Sequence, residues 1–87
     1  VVALNRAVAV SFVAGPAVAI ELVDELARDG RLSSYAYLPA TRAHLLRELG
    51  RTDEAAISYA VAADLTGNAR EREFLLQEAR SSRDGVR

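Results

Sequence analysis

Apolar positions recur in this chain as five blocks, set apart by short breaks that carry glycine, serine or asparagine. Residues 1–13 hold ten apolar side chains, interrupted only by Asn5, Arg6 and Ser11. Periodicity alone does not separate a buried helix from a buried strand here, and the valines lean towards strand. The block's length and the helix after it argue for a helix. Apolar on nearly every side, that helix requires neighbours on two faces. Gly15-Pro16 closes it and presets the next, residues 17–28, which carries Ile20, Val23 and Ala27 on one stripe with Leu22 and Leu26 beside it. Glu21, Asp24, Glu25 and Arg28 fall opposite, with Asp24 and Arg28 spaced as an intrahelical pair.

Asp29-Gly30 ends the second helix, and residues 31–37 form the longest irregular connection, with Leu32, Tyr35 and Tyr37 expected to pack onto the helices around them. A third helix starts near Leu38, where Pro39 is tolerated because first-turn N–H groups have no intrahelical partner. Gly50-Arg51-Thr52 joins it to a fourth, residues 53–65, and so short a connection forces the two helices antiparallel. Asn68 followed by Glu71 has the spacing of a capping box, opening a fifth helix over residues 69–80. Phe74, Leu75 and Leu76 give that helix a short apolar patch, suited to a terminal cap; residues 81–87 are expected to be a disordered tail.

Two helix–turn–helix units, residues 1–28 and 38–65, thus precede a capping helix in one domain over residues 1–80. Their turn glycines, Gly15 and Gly50, lie 35 residues apart, close to the tetratricopeptide period of about 34. The second unit keeps small Ala43 and large Leu46 in its first helix, then small Ala55, aromatic Tyr59 and small Ala62 in its second. Small residues let helix axes approach while a ring fills the gap between them. Pro39, Arg42 and Gly67 depart from the motif, and the first unit matches more loosely through Ala19, Val23 and Leu26. The sequence therefore predicts an all-α fold of antiparallel helical hairpins, a tetratricopeptide-like right-handed superhelix of about five helices. An unrelated five-helix bundle is the alternative.

Composition narrows function mainly by exclusion. Eleven basic and twelve acidic residues leave a net charge of −1, so the chain carries no electrostatic footprint for nucleic acid or an anionic membrane. All eleven cations are Arg, scattered among acids. Seventeen residues are Ala, which bury little area each, so stability rests on many close helix contacts. Without Cys there is no disulfide, thiolate metal site or thiol nucleophile, which fits a reducing cytoplasm. Residues 1–13 are too short to span a bilayer and lack a basic leader. The chain has no Met at all and reads as a segment of a longer protein.

His44 is the lone histidine, with no second ligand and no nucleophile beside it in the pattern. The carboxylates on the second helix have no cause for the raised pKa that acid catalysis needs. No catalytic residue, cofactor site or metal site is expected, and the chain does not read as an enzyme. Asn5 stands out as an amide in a nearly all-apolar helix, bonded to a neighbouring backbone or placed on the inner face of a superhelix. On the superhelical reading Asn5, Phe12, Tyr37, His44 and Arg47 share one concave, partner-binding face. A lysine clamp for a C-terminal carboxylate is ruled out, because there are no lysines.

Three stretches carry a family resemblance: Val1-Val2-Ala3-Leu4-Asn5-Arg6-Ala7-Val8-Ala9-Val10, then Gly15-Pro16-Ala17, then Arg42-Ala43-His44-Leu45-Leu46-Arg47-Glu48-Leu49-Gly50-Arg51. Together they resemble the helical C-terminal extension of a subgroup of bacterial extracytoplasmic-function RNA polymerase sigma factors. The resemblance implies a non-catalytic regulatory domain in transcription initiation. Its partners would be the parent's own promoter-binding domains and, through them, the polymerase core, with no direct nucleic-acid contact. The alternative is a peptide-binding helical-repeat adaptor unrelated to transcription. With no upstream neighbour to cover residues 1–13, the isolated chain is expected to form a homodimer through them.

Overall fold

The structure is a computed structural model that describes residues 2–83. Five helices follow one another: α1 (Val2–Ala14), α2 (Pro16–Asp29), α3 (Tyr37–Glu48), α4 (Thr52–Leu65) and α5 (Ala69–Arg83). The described residues contain no strand, so the valine-rich opening is a helix. Its valines yield their strand preference to packing, because α1 lays Leu4 and Ala7, both fully buried, against α2.

Backbone chemistry at the turns explains the hairpins. A single residue, Gly15 (φ 92°, ψ 167°), separates α1 from α2, in a region of backbone space essentially reserved for glycine. Pro16 then occupies the first helical position, where no N–H is missed. At the second turn Gly50 is left-handed (φ 80°). Its N–H donates to Arg47 O at 3.0 Å and that of Arg51 to Leu46 O at 2.9 Å. This is the paired bond pattern of a Schellman cap, which satisfies carbonyls that α3 would otherwise leave bare.

Each helix packs chiefly on its neighbours in sequence. The molecule measures 27 × 27 × 18 Å, and the short dimension is about two helix diameters. One core cluster joins α1 to α4 through Leu4, Ala19, Ile20, Val23, Leu38, Leu45, Leu46 and Ala55. A second joins α3, α4 and α5 through Ala43, Tyr59, Ala62, Ala63, Leu75 and Ala79. Ala43, Leu46, Ala55 and Ala62 are all fully buried and Tyr59 nearly so. The ring thus fills the space that the flanking alanines open between close helices.

Several expectations are corrected. Asn5 is exposed, so it is not a buried amide in need of a partner. Asp24 pairs with Arg42 of α3 (Nε–Oδ1 2.6 Å), not with Arg28, because α3 brings a guanidinium to the half-buried flank of α2. Leu32 packs against the core as expected, while Tyr35 and Tyr37 keep more than a third of their surface exposed and pack edge to face on each other, centroids 5.9 Å apart. In the α5 patch only Leu75 is buried; Phe74 and Leu76 face outward. Helix α5 continues through Ser81, Ser82 and Arg83, with Ser82 buried, so these three do not belong to a disordered tail; residues 84–87 lie outside the described residues.

The α4–α5 junction is a modified cap. Asn68 Oδ1 accepts the Glu71 N–H at 2.9 Å, as the box requires. Glu71 does not reach back to the Asn68 backbone. Its Oε1 accepts the Thr66 hydroxyl at 2.6 Å, and Thr66 Oγ1 in turn accepts the Asn68 N–H at 3.2 Å. Arg72 donates to Ala63 O and Thr66 O, closing the last turn of α4 with a cation where the helix dipole favours one.

Candidate protein-interaction groove

The first helix of each hairpin, together with α5, forms one side of the molecule. A hollow of about 300 Å³ opens there, lined by Val8 from α1, by Tyr37, Ala40, Thr41 and His44 from α3, by Tyr59 from α4, and by Phe74, Leu75 and Glu78 from α5. A larger hollow of about 630 Å³ adjoins it, extending over Tyr35, Leu65, Thr66 and Glu71. The two share Tyr37, Ala40, Phe74 and Leu75 and so form one trough. Ala40 and Leu75 provide apolar lining, and the partly exposed rings of Tyr35, Tyr37 and Phe74 stand along it.

A polar cluster closes one end. Arg47 donates to Glu78 Oε1 at 2.7 Å, tying α3 to α5. Its guanidinium also lies close enough to the Tyr59 hydroxyl to influence that group's proton affinity. Burial works against the Arg47 charge, yet Tyr59 and Glu78 outweigh it and hold its pKa above the ordinary value. Burial pushes the Tyr59 hydroxyl above its usual pKa, with Arg47 opposing and the Glu78 charge adding to the rise. His44 is well exposed one turn away, 3.8 Å from Glu48. Such a cluster orients side chains at a surface; it has no nucleophile with an adjacent base.

Of the five residues expected to share the concave face, Tyr37 and His44 line the trough. Arg47 sits at its end, held by Glu78 and close to Tyr59. Asn5 and Phe12 do not line it. Both are exposed on α1, and helical spacing sets them either side of Val8, which does line it. Phe12 is 85% exposed and Val13 91%, so α1 carries an apolar surface open to solvent. Sequence reasoning missed Phe74 and Glu78, which stand four apart on α5; reading α5 as the first helix of a further unit would have found them.

Among the described residues no three His, Cys, Asp or Glu side chains gather to hold a metal ion. Nor is any helix among them long and apolar enough to cross a membrane.

The chain is 44% identical over 75 residues to an uncharacterized protein of Rhizobium meliloti (strain 1021). The match takes in 86% of this chain but 17% of the relative, so the chain spans about a sixth of that protein's length. No protein-family model matches, and no solved structure does.

Proposed function

We propose that this chain is a non-catalytic protein-interaction domain, the C-terminal tetratricopeptide-like extension of an extracytoplasmic-function sigma factor, acting in the cytoplasm at transcription initiation. The observation that carries the interaction reading is the trough between α3 and α5, where exposed Tyr37 and Phe74 flank an apolar lining. Exposed aromatic groups beside an apolar floor are what protein interfaces bury. The transcriptional reading rests on the resemblance of residues 1–10, 15–17 and 42–51. It fits a relative in which the matching segment is a small part of a much longer chain.

On this reading the partners are the parent's promoter-binding domains and, through them, the polymerase core. A net charge of −1 gives the domain no drive towards phosphate. The open face of α1, with Val2, Phe12 and Val13, would cover itself in the isolated chain by homodimerisation. Sedimentation of the isolated chain should give a dimer that F12S dissociates; a strict monomer removes this part of the reading.

A peptide-binding adaptor outside transcription is the second reading, because the trough by itself requires no sigma domain. Sequencing the coding region upstream separates the two. Two promoter-binding domains are expected there; further helical repeats in their place would support the adaptor and overturn the sigma-factor reading.

A further inference from the structure

The trough lies between α3 and α5, and each of these helices packs its backbone on α4 instead of on the other. What holds α5 differs along its length. Its first turn is tied to the end of α4 by side chains: Thr66 donates to Glu71, Asn68 accepts the Glu71 N–H, and Arg72 donates to the carbonyls of Ala63 and Thr66. Of its fifteen residues Leu75, Ala79 and Ser82 are buried. Beyond Leu75 the buried apolar side chains thus reduce to that of Ala79, and the Ser82 hydroxyl has no hydrogen-bond partner among the described residues. Glu78 belongs to this weakly held half. Among the described residues its contact with Arg47, 2.7 Å long, is the ion pair that crosses from α3 to α5, and the two side chains are only 28% and 26% exposed.

From this asymmetry we infer that Arg47–Glu78 is a clasp that sets the width of the trough. Helix α5 is pinned at its N-terminal end and opens from its C-terminal half when the pair parts. The opening withdraws Glu78 from the trough wall and loosens the second core cluster around Ala79 and Tyr59. The first cluster takes no residue from α5 among the described residues, so it stays closed. Elements held by few apolar contacts and by polar ties near solvent open locally, at a lower free energy than the whole domain. A clasp of partly exposed charge suits such a device, because solvent weakens it without disturbing the core. Its use rests on the reading of the trough as an interaction surface. Its test needs no partner, so its failure leaves that reading standing.

Amide hydrogen exchange followed by NMR on the 87-residue chain reads the device residue by residue. Relative to intrinsic rates, residues 76–80 are expected to exchange at least about tenfold faster than the buried amides of α3 and α4. E78Q should speed residues 76–80 by about a further threefold to fivefold and leave α3 and α4 within about twofold of their rates. E73Q takes an equal charge from the exposed side of the same helix and should leave residues 76–80 unchanged. Protection of residues 76–80 equal to that of α3 and α4, or no response to E78Q, overturns the clasp. So does an equal response to E73Q, or acceleration by E78Q spread evenly over all the helices.

Discussion

Arg42 on α3 places its Nε 2.6 Å from Oδ1 of Asp24 on α2, across the junction of the two hairpins. The repeat motif has an aliphatic residue at the Arg42 position, so a charged pair replaces an apolar contact there. The side chains are about one-third exposed, 31% and 35%. Solvent therefore screens the pair, and it is worth about 0.5–1 kcal/mol, not the several expected of a buried one. A double-mutant cycle of D24N and R42Q by urea unfolding should return a coupling in that range, falling as salt rises. Coupling near zero would assign the hairpin junction to apolar packing alone.

Tyr59 makes stability depend on alkaline pH. Its pKa is raised in the fold, first by burial and further by Glu78, against the pull of Arg47. Between the unfolded value near 10 and the higher folded one, the unfolded chain gives up this proton first. The contribution is thus fully present below about pH 10 and is lost as pH rises through the folded pKa. Y59F keeps the buried ring and should cost no more than about 1 kcal/mol at neutral pH. It should also lose less stability than the parent above pH 10. An identical alkaline slope in both proteins would contradict the buried-phenol explanation.

Ser82 carries a buried hydroxyl with no hydrogen-bond partner among the described residues. Leaving such a group unsatisfied costs about 1–3 kcal/mol, and removing it costs little packing. S82A is therefore expected to raise the melting temperature by a few degrees. A lower melting temperature would mean the hydroxyl has a partner after all.

Ala43 and Ala62 sit on facing helices of the second core cluster, both fully buried. If close approach of α3 and α4 is what the small residues provide, A43L or A62L should destabilise by about 1–3 kcal/mol in thermal melts. The exposed neighbour Val61 tolerates V61L within about 0.5 kcal/mol. Equal effects at all three positions would remove the argument for nested helices.

The helices and their pairing were legible because small and aromatic residues fell at the spacing hairpins need, with glycine where the backbone must turn left-handed at Gly50. The expected Asp24–Arg28 pair was wrong because linear spacing favours i,i+4 partners, and only tertiary packing decides that α3 delivers Arg42 first. Asn5 invited a buried reading because its neighbours are apolar, yet α1 buries only one narrow side. Two of the trough's residues could be read from the sequence, Tyr37 and His44, which stand seven apart on α3. Phe74 and Glu78 escaped because a highly charged helix looks like a lid until its packing against α4 shows which side faces α3.

Run-off transcription by the parent protein, with and without these 87 residues, probes the proposed role most directly. The account expects promoter-dependent output to change when the segment is removed, and F74S to reproduce part of that change while the helical circular-dichroism signal stays intact. Output identical with and without the segment, at equal protein level, would contradict it.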